Sequence, residues 1–182
     1  MLRRNRFILA SSIITLLLSV SLSSPALADN PKWVGNQLSD FKTTAYQMRT
    51  EADLLKSYTL GKRLSWETHT RQLSILKDQV NQLGKNLADL ESQKSVANEN
   101  QVMAIEQVRP HLESIAQNLT FAIESVNENR PNVHSMEYAE AVDSVYAHAD
   151  DLHTKVDTIL DYDAARTRLD KLELQSEANQ GS

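Results

Sequence analysis

Cysteine is missing from all 182 residues. Its absence removes disulfides, thiol catalysis, zinc–thiolate sites and covalent haem attachment. It also removes the lipidated cysteine that would tether an exported protein to a membrane. Glycine is scarce, at 4 of 182 residues against a usual ~7%. So few glycines leave little room for tight turns or for Gly-rich phosphate loops. No G-x-S-x-G elbow and no H-E-x-x-H pair is present. These absences together point to a non-enzymatic protein with no cofactor. Its chain is expected to be regular helix almost throughout, held by packing alone.

Arg3, Arg4 and Arg6 give a basic start, an apolar run follows from Phe7 to Leu22, and Ser24-Pro25-Ala26-Leu27-Ala28 supplies small residues. That is the three-part layout of a secretory signal peptide, expected to be cleaved after Ala28. The apolar run is shorter than the about 20 residues a membrane span needs. The expected location is therefore the periplasm or the exterior, with no membrane attachment after cleavage. Residues 29–175 read as one domain and 176–182 as a disordered tail. Removing residues 1–28 takes three of the 19 basic groups and none of the 24 acidic ones, which leaves −8. The charge is uneven, +2 over residues 29–94 and −10 over 95–182. Nucleic acid is excluded as a partner by that balance.

Four apolar stripes repeat at alternating steps of three and four, the period of one helix face. The first runs Val34, Leu38, Phe41, Ala45, Met48, Ala52, Leu55 behind an Asn30-Pro31 start, and should end at Gly61 in left-handed backbone. The second runs Trp66, His69, Leu73, Leu76, Val80, Leu83, Leu87, Leu90 behind a Ser65 cap. The third runs Val102, Ile105, Val108, Leu112, Ile115, Leu119, Ala122, Val126, opened by an Asn98–Gln101 capping box. Its register slips once beside Pro110, where a kink is expected. The fourth runs Tyr138, Val142, Val145, Ala149, Leu152, Val156, Ile159 behind Ser135. Beyond Ile159 the register lands on Asp163 and Arg166, and the apolar positions move to Leu169 and Leu172. Short connections make sequential helices antiparallel, so the expected fold is an all-α, up-down-up-down four-helix bundle. Two hairpins completing one core as a homodimer form the alternative.

The histidines are the candidate chemistry. His69 lies on the second stripe and is expected to be structural, so that His69→Leu keeps the fold. His111 follows the Pro110 kink. His148 and His153 flank the fourth stripe on opposite sides and cannot share a metal without a partner helix. Asp150, His153 and Asp157 line one flank at helical spacing with Tyr146. They form the candidate metal set, though their spread along the helix lets one ion engage only two of them. Di-iron chemistry lacks its Glu-x-x-His pairs. Residues 137–163 carry eight acids against the single base Lys155, a solvated face or a site for a basic partner.

The layout resembles periplasmic four-helix cytochromes. That family ligates haem with a Met near the start and a His near the end of the bundle, and Met48 and His153 lie too far inside their helices to match. The Leu-Thr-x-x-Gln motif of periplasmic stress chaperones is absent. Residues Leu64-Ser65-Trp66-Glu67-Thr68-His69 and Ala122-Ile123-Glu124-Ser125-Val126-Asn127-Glu128-Asn129 are similar to uncharacterised exported helical-bundle proteins of bacteria, a resemblance that implies no known activity. The expected function is protein interaction or a structural role in the bacterial cell envelope, with a protein partner or a homodimer. A metal- or small-molecule-binding bundle and a chaperone-like stress protein are the alternatives.

Overall fold

The computed structural model describes residues 31–61 and 64–180. Residues 1–30, with the leader and the Asn30 cap read from the sequence, lie outside them. The four helices are α1 (Pro31–Leu60), α2 (Trp66–Ser92), α3 (Glu99–Glu128) and α4 (Met136–Gln180), with 3-10 turns at Lys94–Val96 and Arg130–His134. Each helix packs on its sequence neighbours, and α1 packs on α4 to close the ring. This is a four-helix bundle with long helices. No helix among the described residues is long and apolar enough to cross a membrane.

Burial follows the stripes. Every position of the first one, Val34 through Leu55, is fully enclosed. In α2 the stripe is buried from His69 to Leu90, with Trp66 half-buried against the core. In α4 it is buried from Tyr138 to Val156. Such burial is worth roughly 1.5–3 kcal/mol per large apolar side chain. It is the main support of a chain with no disulfide.

Three local expectations change. In α3 the enclosed positions are Gln101, Ile105, Val108, Leu112, Ile115, Leu119, Ala122 and Val126, with Asn100 and Ala104 beside them, while Val102 is only half-buried. Steps of four and three then run without a slip, and α3 passes through Pro110 as one helix. The missed position was polar. Gln101 is drawn inward because its side chain accepts from the Asn98 amide while the Asn98 side chain accepts from the Gln101 amide, and this closes the capping box. At the end of α1, Gly61 has no left-handed backbone. Its amide donates to the Tyr58 carbonyl and tightens the last turn instead. Finally, α4 does not stop near Gln175 but runs helical to Gln180. Its end is rich in Leu, Glu, Lys, Gln and Ala, which favour helix.

Candidate functional site

The bundle leaves three places where side-chain chemistry gathers, all of them touching α4. The first is the seam with α1. Lys42, Arg49 and Lys56 lie seven residues apart, and so do Asp157, Asp150 and Asp143. The antiparallel packing pairs them in that order. Seven residues are two helical turns, so each rung repeats the geometry of the last. The aspartates raise the pKa of Lys42, Arg49 and Lys56 above its ordinary value through direct hydrogen bonds, against a smaller opposing effect of burial. Lys56 also lies over the Tyr146 ring, 4.7 Å from its centre.

The metal candidates read from the sequence fall on this seam. Asp150 holds Arg49 and Asp157 holds Lys42. Between them His153 faces the ring of Tyr46, with centroids 5.3 Å apart. The flank that lined up Tyr146, Asp150, His153 and Asp157 is thus the flank that meets α1. Its acidic run is matched there by the cations of the more basic half of the chain.

The seam with α3 is built differently. His148 and Asp151, one turn apart on α4, face His111, which follows Pro110 on α3. The two Nδ1 atoms stand 3.4 Å apart, and His111 Nδ1 lies 3.8 Å from Asp151 Oδ2. Both imidazoles are half-buried and the carboxylate is exposed. One ligand atom from each residue can be chosen so that all three lie within 4.8 Å of one another. Burial lowers the His111 pKa, Lys155 and His148 add to that, and Asp151 opposes it. Each half of this group carries a signal in the residue pattern. That pattern showed His148 in need of a partner helix and His111 beside a proline. It did not show that they meet.

The third place is the end of the bundle where α2 and α4 begin. His69 and Tyr138 are both fully enclosed, and His69 Nδ1 shares a hydrogen bond of 3.0 Å with the Tyr138 hydroxyl. This bond joins two helices that lie diagonally across the bundle. Tyr58 meets the imidazole edge-on at 5.7 Å between centroids. His69 Nε2 has no hydrogen-bond partner. Burial, and more weakly His134, holds the His69 pKa below its ordinary value, and burial raises that of Tyr138. The imidazole is therefore neutral and acts as a cross-bundle strut. Outside it, Arg130 covers the Trp66 ring at 4.1 Å, beside a cavity of about 260 Å³ lined by Leu64, Ser65, Trp66, Arg130, Pro131, Val133 and His134.

Beyond these places, α4 outruns the bundle. Asp163 accepts hydrogen bonds from the side chains of Asn98 and Asn100 at the start of α3. After it, residues 164–177 are exposed throughout. Comparison with known protein families, with curated proteins and with solved structures finds no match.

Proposed function

We propose that the protein is an exported, non-enzymatic interaction module of the bacterial cell envelope that joins a second copy of itself through the extension of α4. One observation carries this reading. Leu169, Leu172 and Leu174 are 60–66% exposed on a stretch of helix that no other described residue covers. The residues from 164 to 177 reach about 20 Å at 1.5 Å per residue. Export rests on the layout of residues 1–28.

The pattern of the extension selects a copy of itself. Tyr162, Ala165, Leu169 and Leu172 recur at steps of three and four. They follow a heptad displaced by one residue from the core heptad, which would continue through Asp163 and Arg166. The apolar face of the extension is thus rotated away from the bundle core. Asp161 and Arg168 flank it on one side, Arg166 and Glu173 on the other. In a parallel coiled coil such flanking positions meet their counterparts one heptad on. Two parallel copies set Asp161 against Arg166 and Arg168 against Glu173, all of opposite sign. An antiparallel pair would set Arg166 against Arg166 and Arg168 against Arg168. A free helix of two heptads is marginal in water. Here the bundle already holds the first half of α4, so the costly nucleation step is complete.

Sedimentation equilibrium of residues 29–182 tests this reading. A dimer is expected, and Leu169→Glu with Leu172→Glu should give a folded monomer. Arg168→Glu alone should weaken the dimer, and adding Glu173→Arg should restore it. A wild-type monomer at tens of micromolar, or a dimer indifferent to these changes, overturns the reading. Capture of a different envelope protein by a monomeric chain would replace it with a hetero-partner.

A further inference from the structure

We infer that His111, His148 and Asp151 form a binding site for a borderline divalent transition metal of the Zn²⁺ type, set in the seam between α3 and α4. The inference is independent of the α4 extension and concerns residues half the bundle away from it.

The distances carry it. A tetrahedral Zn²⁺ with Zn–N bonds of 2.0–2.1 Å holds two nitrogen ligands about 3.3–3.4 Å apart. The two Nδ1 atoms stand 3.4 Å apart. The pair therefore already has the separation the ion needs, and the ring that donates the shared hydrogen bond has only to move its proton to Nε2 to free the second lone pair. Asp151 Oδ2 is 3.8 Å from His111 Nδ1 and the three ligand atoms lie within 4.8 Å of one another, so the carboxylate must swing inward toward both imidazoles to complete the site. Its side chain is exposed and free to turn. The two halves of the site are also rigid in the right places. His148 and Asp151 sit one turn apart on α4, so their side chains leave the same face. Beside them Ala149 and Leu152 are fully enclosed, as is Val108 one turn before His111. The core thus fixes both backbones, and the ligands need no rearrangement of the helices.

The donor set names the class of ion. Two imidazoles and one carboxylate suit Zn²⁺, Cu²⁺ or Ni²⁺, whereas Mg²⁺ and Ca²⁺ prefer an all-oxygen shell. Three protein ligands leave the fourth tetrahedral position to water. The chief opposing group is Lys155, one turn beyond Asp151 on the same helix. Its charge acts on His111 and would act against a cation in the same place. The α1 seam offers no such site. There Asp157, Asp150 and Asp143 each meet Lys42, Arg49 or Lys56 through Oδ1, so a cation would have to compete with a charge of its own sign.

Calorimetry with Zn²⁺ on the metal-stripped full mature chain tests the inference, with visible absorption of bound Co²⁺ as a report of coordination geometry. One ion per chain and a tetrahedral Co²⁺ spectrum are expected. Losing a direct ligand should cost more than the about 10–100-fold that loss of an outer hydrogen-bond partner costs. His148→Gln and His111→Gln should therefore weaken binding by at least about 100-fold. Asp151→Asn, at an exposed position, should weaken it less and change the spectrum without touching the fold. Lys155→Gln should tighten binding severalfold. His153→Gln should leave it unchanged. Circular dichroism confirms that each variant is folded. No saturable uptake by the wild-type chain, or uptake that survives His148→Gln and Asp151→Asn, overturns the site. So does uptake that is lost in His153→Gln, which would move the ion to the α1 seam.

Discussion

Along its α1 side, α4 presents Asp143, Asp150 and Asp157 to three cations. Along its α3 side it presents His148 and Asp151 to His111, an imidazole whose pKa burial lowers. The same helix makes both seams, over the same residue span and at similar depth. What differs is the partner. A full cation holds one oxygen of each carboxylate and sets a positive charge against any second cation. Two facing imidazoles share only a hydrogen bond, which an ion can replace. Whether a flank of a helix can bind an ion is decided less by how many donors it carries than by the charge of the helix facing it.

The largest effect should come from what the two seams share. Leu152 lies fully enclosed beneath both, and Leu152→Ala should cost about 2–5 kcal/mol of unfolding free energy in urea titrations. Loss of that support should also weaken Zn²⁺ uptake by the α3 seam. Next comes the ion itself. Zn²⁺ at 100 times its dissociation constant should stabilise the chain by about 2.7 kcal/mol, and His148→Gln should abolish the gain without lowering stability in its absence by more than about 1 kcal/mol.

A third effect separates neutral imidazole from surface charge along the pH axis. His69 has its folded pKa lowered by burial, so the unfolded chain takes up the proton first. Its contribution is whole above the unfolded value of about 6.5 and is lost as pH falls through the folded value. Lys42 and Lys56 behave in the opposite sense. Their folded pKa is raised by Asp157 and Asp143, so their contribution is whole below about 10.4 and is lost as pH rises through the folded value. Thermal melts across pH should show both limbs, and His69→Leu should flatten only the acid one. At neutral pH that substitution leaves the Tyr138 hydroxyl buried without its partner, at a cost of about 1–3 kcal/mol that Tyr138→Phe should relieve. The smallest effect belongs to one rung of the ladder. Arg49→Gln should cost about 0.2–1 kcal/mol, less in high salt, because its partners are partly exposed. A loss above 2 kcal/mol would show that the rungs act as one network.

Much of this was legible in the residues. The stripes at Val34–Leu55 and Tyr138–Val156 fixed which face of each helix turns inward, since a period of 3.6 with apolar residues admits one buried face. The Asn98–Gln101 box marked the start of α3 for the same local reason. The Gln101 position was misread because a glutamine enclosed by its own capping bond looks polar in one dimension. The seams were illegible for a deeper reason. Periodicity gives the direction of a side chain around its own helix, but not which helix stands opposite. Lys42, Arg49 and Lys56 could be seen to share a flank, and so could Asp143, Asp150 and Asp157. Only the packing of α1 on α4 joins the two rows. The same limit hid His111 from His148.

The clasp of Asn98 and Asn100 on Asp163 divides α4 into two lengths with different opening energies. On the bundle side, an amide of α4 exchanges its hydrogen only when the core gives way. On the far side, from 164 onward, fraying of a single exposed helix is enough in the lone chain. Arg166, Arg168 and Lys171 all lie in that second length, within reach of trypsin whenever it opens. Pairing with another copy would extend the protection of the bundle across the clasp. The chain's resistance to a protease in its own compartment would then depend on its concentration.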